Sequence, residues 1–518
     1  MMDKIDLGPG FPEWTEIGQE TGLDPLGMQR PIEFVYQSLL PGISTITLRF
    51  RYYSFFAWLL EAYAKQDNVT TDYGAFRRFQ RRTEALYALA CARGETELGV
   101  AGIDWALRQL AAIDRAGSDT VIDFTTAADP EAEERLRYLR NKGGAFGAIY
   151  ASQMREMGLV KLDDPDLIVP FCKDSALPLA SSFQDALCHL VGEFLAAVEA
   201  GKVSLDLLDR LACIKPSKIQ IGSPEQHHLA SILMARQESA SASDQTRRKT
   251  LLMLLQLART LDRPPTSDEA KWTWFGAETA KGMVLPDSDL QKVWALYQAS
   301  DLYRLGYEVL LHACLRILRN APRGRLALPD VVADLLEQAD LPSGVTLRDW
   351  MLEQTDGDSL EIGAKTAAQA MRDAHSSGDS QEEVRSALML ISALTLKASE
   401  FDRSVLQWLG AAGHFQSLAS ETKFLEGRLD LPVAEAVSGL LRERILGRHL
   451  WVASRKFRNQ KAYTFLFEPD EGELRYRSLF RISPSSPRID QAVQFLRDIK
   501  YLDDKGITAL GLTELEQA

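Results

Sequence analysis

The sequence predicts a mainly α-helical protein: a multi-unit helical body with small winged-helix-like α+β units carrying hairpins near 159–170 and 463–478. Three observations predict it. Apolar residues recur at three- and four-residue spacing along most of the chain. Pro, Gly, Ser, Thr and Asp bracket those stretches as helix starts and stops. Strand-like alternation is confined to two short places, each beside turn residues. At roughly 100–200 residues per domain, 518 residues make three or four units. The expected segments are an N-terminal helical domain (1–130), a winged-helix-like unit (131–178), a central helical body (179–430, with breaks near 238–245 and 375–379) and a basic winged-helix-like unit (431–518).

Taken in order, the first 27 residues are rich in Gly and Pro and read as an irregular arm. Pro31 opens a first helix that runs to about Leu40, where Pro41 and Gly42 break it. Ser44 or Thr45 caps a second helix with an apolar face of Leu48, Tyr52, Phe55, Phe56, Leu59 and Tyr63. A third helix covers 73–92. Gly143 and Gly144 turn into a helix over 145–157, followed by strands at 159–162 and 167–169 about a turn at 163–166. Helices near 182–200, 225–236 and 287–318 fill the middle, the last starting at Pro286 and Asp287. No self-similarity at the period of helical repeats is present, so a solenoid is not expected. The last segment reads as a helix over 432–458, a hairpin of 463–467 and 473–477 about Pro469–Gly472, a helix over 488–501 and a final turn at 513–517.

Hydrophobic residues make up 46% and charged residues 25%, ordinary for a globular chain. The net charge of −13 argues against wholesale coating of a polyanion, yet the basic residues are clustered. Ten Lys/Arg stand against five Asp/Glu over 442–481, six against one over 135–161, and seven against three over 49–82. Five cysteines, none spaced as C-x-x-C, point to inert thiols in a reducing compartment. The longest apolar runs, 251–258 and 387–396, fall far short of the roughly 20 residues of a membrane span. The expectation is a cytoplasmic protein with no membrane partner.

Candidate nucleic-acid contacts follow from the clusters. Arg77/Arg81 and Arg78/Arg82 are like-charged i,i+4 pairs, a repulsion that an anionic partner would relieve. Arg448, Arg455, Lys456 and Arg458 lie on the 432–458 helix, and Arg475 and Arg477 on the hairpin. Such a set binds phosphates without reading bases. The plain alternative is that these cations are solvated or pair with the acidic remainder. Arg49 and Arg51 beside Tyr52, Tyr53 and Trp58 fit core packing better than a base grip.

Catalytic motifs are absent: no phosphate-binding loop, no G-x-S-x-G, no H-E-x-x-H. His227 and His228 are neighbours and would face different ways on a helix, and neither Cys188/His189 nor His312/Cys314 has ligand spacing. No cofactor, metal or catalytic residue is expected. Glu269 and Lys271, with Asp262 upstream, could form half of a nuclease motif.

One string carries a resemblance. Asp24-Pro25-Leu26-Gly27, Leu39-Leu40-Pro41-Gly42, Thr47, Arg49, Arg51-Tyr52-Tyr53, Phe55 and Trp58 resemble the N-terminus of an uncharacterised family of bacterial helical proteins of about this length. That family is associated with phage-defence and DNA-modification gene neighbourhoods. The resemblance implies a DNA-linked role in defence, beside a nuclease, helicase or ATPase encoded nearby, and carries no catalytic residue across. Three functions remain open: a non-enzymatic DNA-binding or adaptor subunit, a nuclease with a dispersed site, and a pure protein scaffold.

Overall fold

The computed structural model describes residues 24–66, 72–116, 121–164, 168–277, 288–354, 359–410 and 416–517. The expected arm up to residue 23, the helix start at Pro286 and Asp287, and part of the 163–166 turn lie outside these residues. The structure is 67% helical, with a few small antiparallel sheets. No helix among the described residues is long and apolar enough to cross a membrane.

The chain forms two compact units, one from 33–298 and 486–518, the other from 1–32 and 299–485. These divisions differ from the expected segment boundaries. Each unit draws on two stretches of chain, so 1–130 and 431–518 are each shared between the units.

In the unit built from 33–298 and 486–518, the helix Tyr52–Ala64 is the centre of the core. Tyr52, Phe55, Phe56 and Leu59 are buried, as their spacing predicts. Phe55 stacks on Tyr87 with ring centroids 4.2 Å apart, and Tyr52 on Tyr150 at 4.6 Å. Such ring pairs add to what area burial alone contributes. The helix begins later than expected. The Thr47 hydroxyl accepts the Ser44 N–H and donates to the Ser44 carbonyl, both at 2.9 Å. That local turn competes with helix, so Leu48 lies 41% exposed instead of on the apolar face.

Arg49 and Arg51 leave this turn for buried ion pairs. Arg49 reaches Glu97 at 2.8 Å and Asp498 at 3.0 Å. Arg51 grips both oxygens of Glu225, at 2.9 and 2.7 Å, and donates to the Cys213 and Lys215 carbonyls. A planar, always-charged fork suits such pairs better than lysine would. The Gly143-Gly144 turn is required by space: at Gly144 (φ +68°) a Cβ would lie 2.8 Å from a Glu84 carboxylate oxygen and 2.9 Å from the Tyr138 hydroxyl.

The first hairpin pairs Val160–Lys161 with Phe171–Cys172, later than the expected 167–169. Cys172 Sγ donates to the Ala57 carbonyl at 3.3 Å, which seats the strand on the Tyr52–Ala64 helix. Residues 131–178 thus belong to this unit's body. Two further strand pairs, Val121–Asp123 with Lys202–Ser204 and Leu502–Asp503 with Gly506–Ile507, were not expected.

In the unit containing 299–485, the helices Leu360–Ser377 and Ser380–Ala398 pack against each other. Its sheet has three antiparallel strands: Arg325–Leu326 pairs with Glu473–Tyr476, which pairs with Phe467–Asp470. Glu471 (φ 54°) and Gly472 (φ 89°) form a two-residue turn of the type that matches strand twist, so Pro469 and Asp470 remain in the ladder. The expected 432–458 helix is three pieces: Val433–Gly439, a wide π-helical stretch Leu440–Leu446, and the helix Gly447–Gln460. The wide turn leaves the Arg442 carbonyl so close that a Cβ at Gly447 would meet it at 2.8 Å.

Candidate nucleic-acid interface

The structure separates the basic residues into structural and exposed ones. Of the four arginines on the helix Tyr73–Ala92, Arg81 is fully buried. It donates to the Ala128 and Asn141 carbonyls at 2.8 Å, and its guanidinium lies 4.7 Å from the Tyr138 ring centroid. Burial pulls its pKa down. Arg77 donates to the Lys142 carbonyl, and Arg82 to the Glu199 carbonyl at 2.6 Å. The latter bond caps the C-terminal end of the helix Val191–Ala200, where unsatisfied carbonyls gather. Arg78 alone of the four is exposed. The expected phosphate-binding face is, for Arg77, Arg81 and Arg82, a set of backbone caps.

The 135–161 cluster is neutral in context. Arg135 pairs with Glu133, Arg140 with Glu134, Lys142 with Glu131, Arg155 with Asp163 and Lys161 with Asp164. All five acids lie just outside the counted stretch; over 131–164 six Lys/Arg face six Asp/Glu.

In the C-terminal set, Arg448 is 4% exposed and bonds Glu421, itself fully buried, at 2.7 Å. It cannot reach a phosphate outside, which corrects its assignment to the interface. Lys456 donates to the Asp24 carbonyl at 3.0 Å. Arg475 and Arg477 lie 3.6 Å from Asp470 and 3.5 Å from Glu468.

Arg455 and Arg458 remain exposed, and among the described residues no carboxylate pairs with either. They share one face of the helix Gly447–Gln460 with Trp451, at spacings of four and seven residues. The Arg455 guanidinium sits 5.3 Å from the centroid of the Trp451 ring, which is 43% exposed. On another side of the helix, Phe457 is 52% exposed and meets Tyr463 edge-on at 6.2 Å, while Arg477 lies 5.9 Å from the Tyr463 ring. Sequence reasoning found the arginines but missed Trp451, Phe457 and Tyr463. Spacing gave no signal for the rings: Trp451 stands three residues after buried Arg448, and Phe457 four after buried Ala453.

His449 holds this helix in place. Its Nε2 accepts the Leu466 N–H at 3.0 Å, so Nδ1 carries the proton and donates to the Pro25 carbonyl at 3.1 Å. Burial pushes the imidazole pKa down to about 4. The residues 24–27 of the recognisable string thus serve this unit. Gln416 donates to the Leu26 carbonyl, and the Asp24 carboxylate caps the Met28 and Gln29 N–H groups at 3.0 and 3.1 Å.

The half-motif of a nuclease does not converge. Glu269 accepts the Thr266 N–H at 2.9 Å as a helix cap and pairs with Arg263, whose hydrogen bond holds its carboxyl down to about 2. Lys271 pairs with Asp268, and Asp262 closes the preceding helix in a left-handed conformation.

No family model, curated protein or solved structure matches the chain. The meaning of the exposed surface therefore rests on its own chemistry.

Proposed function

We propose that the chain is a non-enzymatic DNA-binding or adaptor subunit of a bacterial anti-phage defence or DNA-modification-linked system, acting in the cytoplasm beside a separately encoded nuclease, helicase or ATPase. One observation carries the binding half of this reading: Arg455 and Arg458, with no carboxylate partner among the described residues, share a helix face with exposed Trp451. Guanidiniums meet phosphates and exposed rings stack unpaired bases, which is how single strands are held without sequence preference. Single-stranded DNA is the fitting ligand. The defence setting rests on the resemblance of the string from Asp24 to Trp58.

Fluorescence anisotropy with labelled single- and double-stranded oligonucleotides across a salt series tests the proposal. Binding whose affinity falls with salt, and which is tighter for the single strand, supports it. A second reading is favoured by the same rings, since Trp, Tyr and Arg also anchor protein interfaces. Absence of any salt-dependent nucleic-acid binding makes this surface a protein contact. Cleavage by the purified chain with a divalent metal would instead support the nuclease alternative.

A further inference from the structure

Three residues that no sequence spacing connects come together in the unit containing 299–485. His312 lies on the helix Ser288–Asn320, His375 in the last turn of Leu360–Ser377, and Glu383 in the first turn of Ser380–Ala398. The latter two helices are joined by a tight corner. Gly378 (φ +79°) closes the first, and the Asp379 carboxylate caps the second by accepting the Glu382 N–H at 3.1 Å. That corner sets one donor atom from each of His312, His375 and Glu383 within 4.8 Å of the others.

Each member has a feature that a plain core does not explain. Glu383 is fully buried, and its two oxygens are divided: Oε1 faces His375 Nδ1 at 2.6 Å, and Oε2 takes Arg316. His312 is 9% exposed, and its Nδ1 has no hydrogen-bond partner. An unsatisfied buried nitrogen is disfavoured, so this one calls for a ligand. The His375 side chain, 43% exposed, keeps the cluster open to solvent on one side.

We propose that His312, His375 and Glu383 bind one zinc ion. Two imidazoles and a carboxylate are a ligand set that zinc takes, with the fourth position left to water. Donors around tetrahedral zinc stand roughly 3.3–3.5 Å apart, given bonds of about 2.0–2.2 Å. The ion takes the place of the proton between His375 Nδ1 and Glu383 Oε1, and the two donors part by under about 1 Å to admit it. One Zn²⁺ enters as the proton leaves Nδ1, and the bound ring is a neutral imidazole with its proton on Nε2: a ring that starts neutral shifts its proton from Nδ1 to Nε2 through solvent, and one that starts protonated releases one H⁺. Arg316 stays on Oε2 and orients the carboxylate from outside, the role such partners play around ligating groups. The site is independent of the nucleic-acid surface, and its test does not involve DNA.

The experiment is equilibrium dialysis of the chelator-treated full-length protein against Zn²⁺ alone, with metal content read by mass spectrometry. The wild type should bind one ion per chain with a Kd tighter than about 1 µM. His375→Ala and His312→Ala should each weaken binding by at least about tenfold. Because His375 is partly exposed, H375A should keep the wild-type circular dichroism, and loss of binding in a folded H375A protein assigns the ligand. Replacing zinc by Co²⁺ should give the visible absorption of a tetrahedral site in the wild type and lose it in H375A. No binding by the wild type at about 100 µM Zn²⁺ overturns the proposal. So does wild-type affinity in both variants, which would put the ion elsewhere.

Discussion

Arg49 and Asp498 stand 449 residues apart in sequence and meet in a buried ion pair at 3.0 Å. The same carboxylate accepts the Phe50 N–H at 2.7 Å, so it fixes both the side chain and the backbone of the turn before the Tyr52–Ala64 helix. Burial pushes the Asp498 pKa up, and Arg49 opposes that shift. Arg49→Met should therefore destabilise by about 3–5 kcal/mol at neutral pH, because it leaves a buried charge without its partner. The deficit should shrink in mildly acidic buffer, where Asp498 takes up a proton. Urea titrations of both proteins at two pH values check this, and an equal loss at both would refute it.

Phe55 contributes through packing alone. It is fully buried between Tyr87 and Phe183, with no polar atom to satisfy. Phe55→Ala should destabilise by about 3–5 kcal/mol. Phe55→Leu should recover most of that, since cores tolerate apolar swaps of similar volume. Thermal or urea denaturation of the pair measures the difference.

His449 makes its unit sensitive to acid. Both ring nitrogens are engaged in the neutral form, and protonation would destroy the acceptor that holds Leu466. The folded pKa of about 4 lies below the 6.5 of the unfolded chain, so the unfolded state binds the proton more readily. Stability from this group is complete above pH 6.5 and falls as pH drops towards 4, by at most about 3 kcal/mol. His449→Gln should be less stable at pH 7 and should lose less on going to pH 4.5. A parallel pH dependence in the two proteins would remove His449 as the cause.

The exposed face of the helix Gly447–Gln460 can be tested without touching the core. Arg455→Glu with Arg458→Glu should abolish measurable oligonucleotide binding at near-physiological salt while leaving the melting curve in place. Single neutral substitutions should each lower the salt slope by about 0.7 on single strands. Trp451→Ala should weaken single-strand binding by about 1–3 kcal/mol while changing that slope little, since stacking releases no counterions. Lys456 is left out of this set because its ammonium is tied to the Asp24 carbonyl.

What the sequence reveals is the part of the structure written in neighbouring residues. The burial of Tyr52, Phe55, Phe56 and Leu59 is foreseen from helical period, though Tyr53, Trp58 and Leu60 off that stripe are buried too, and both hairpins lie close to where turn residues place them. The strand Arg325–Leu326 escapes notice because two residues carry no alternation and its partner lies about 150 positions later. Arg77, Arg78, Arg81 and Arg82 look alike in the sequence, yet one is exposed and one wholly buried, because the difference is made by carbonyls at 128 and 141. The 135–161 cluster misleads for a simpler reason: its counterions flank it. His312, His375 and Glu383 gather only through the packing of three helices.

The bond between Arg49 and Asp498 also sets a schedule during translation. Asp498 is made 449 residues after Arg49. At about 5–20 residues per second, the Arg49 guanidinium waits roughly 20–90 s for its carboxylate, with the turn below the aromatic helix unfinished. Nascent chains halted before residue 498 should therefore present that helix to chaperones and proteases, and synthesis past that residue should be the event that hides it.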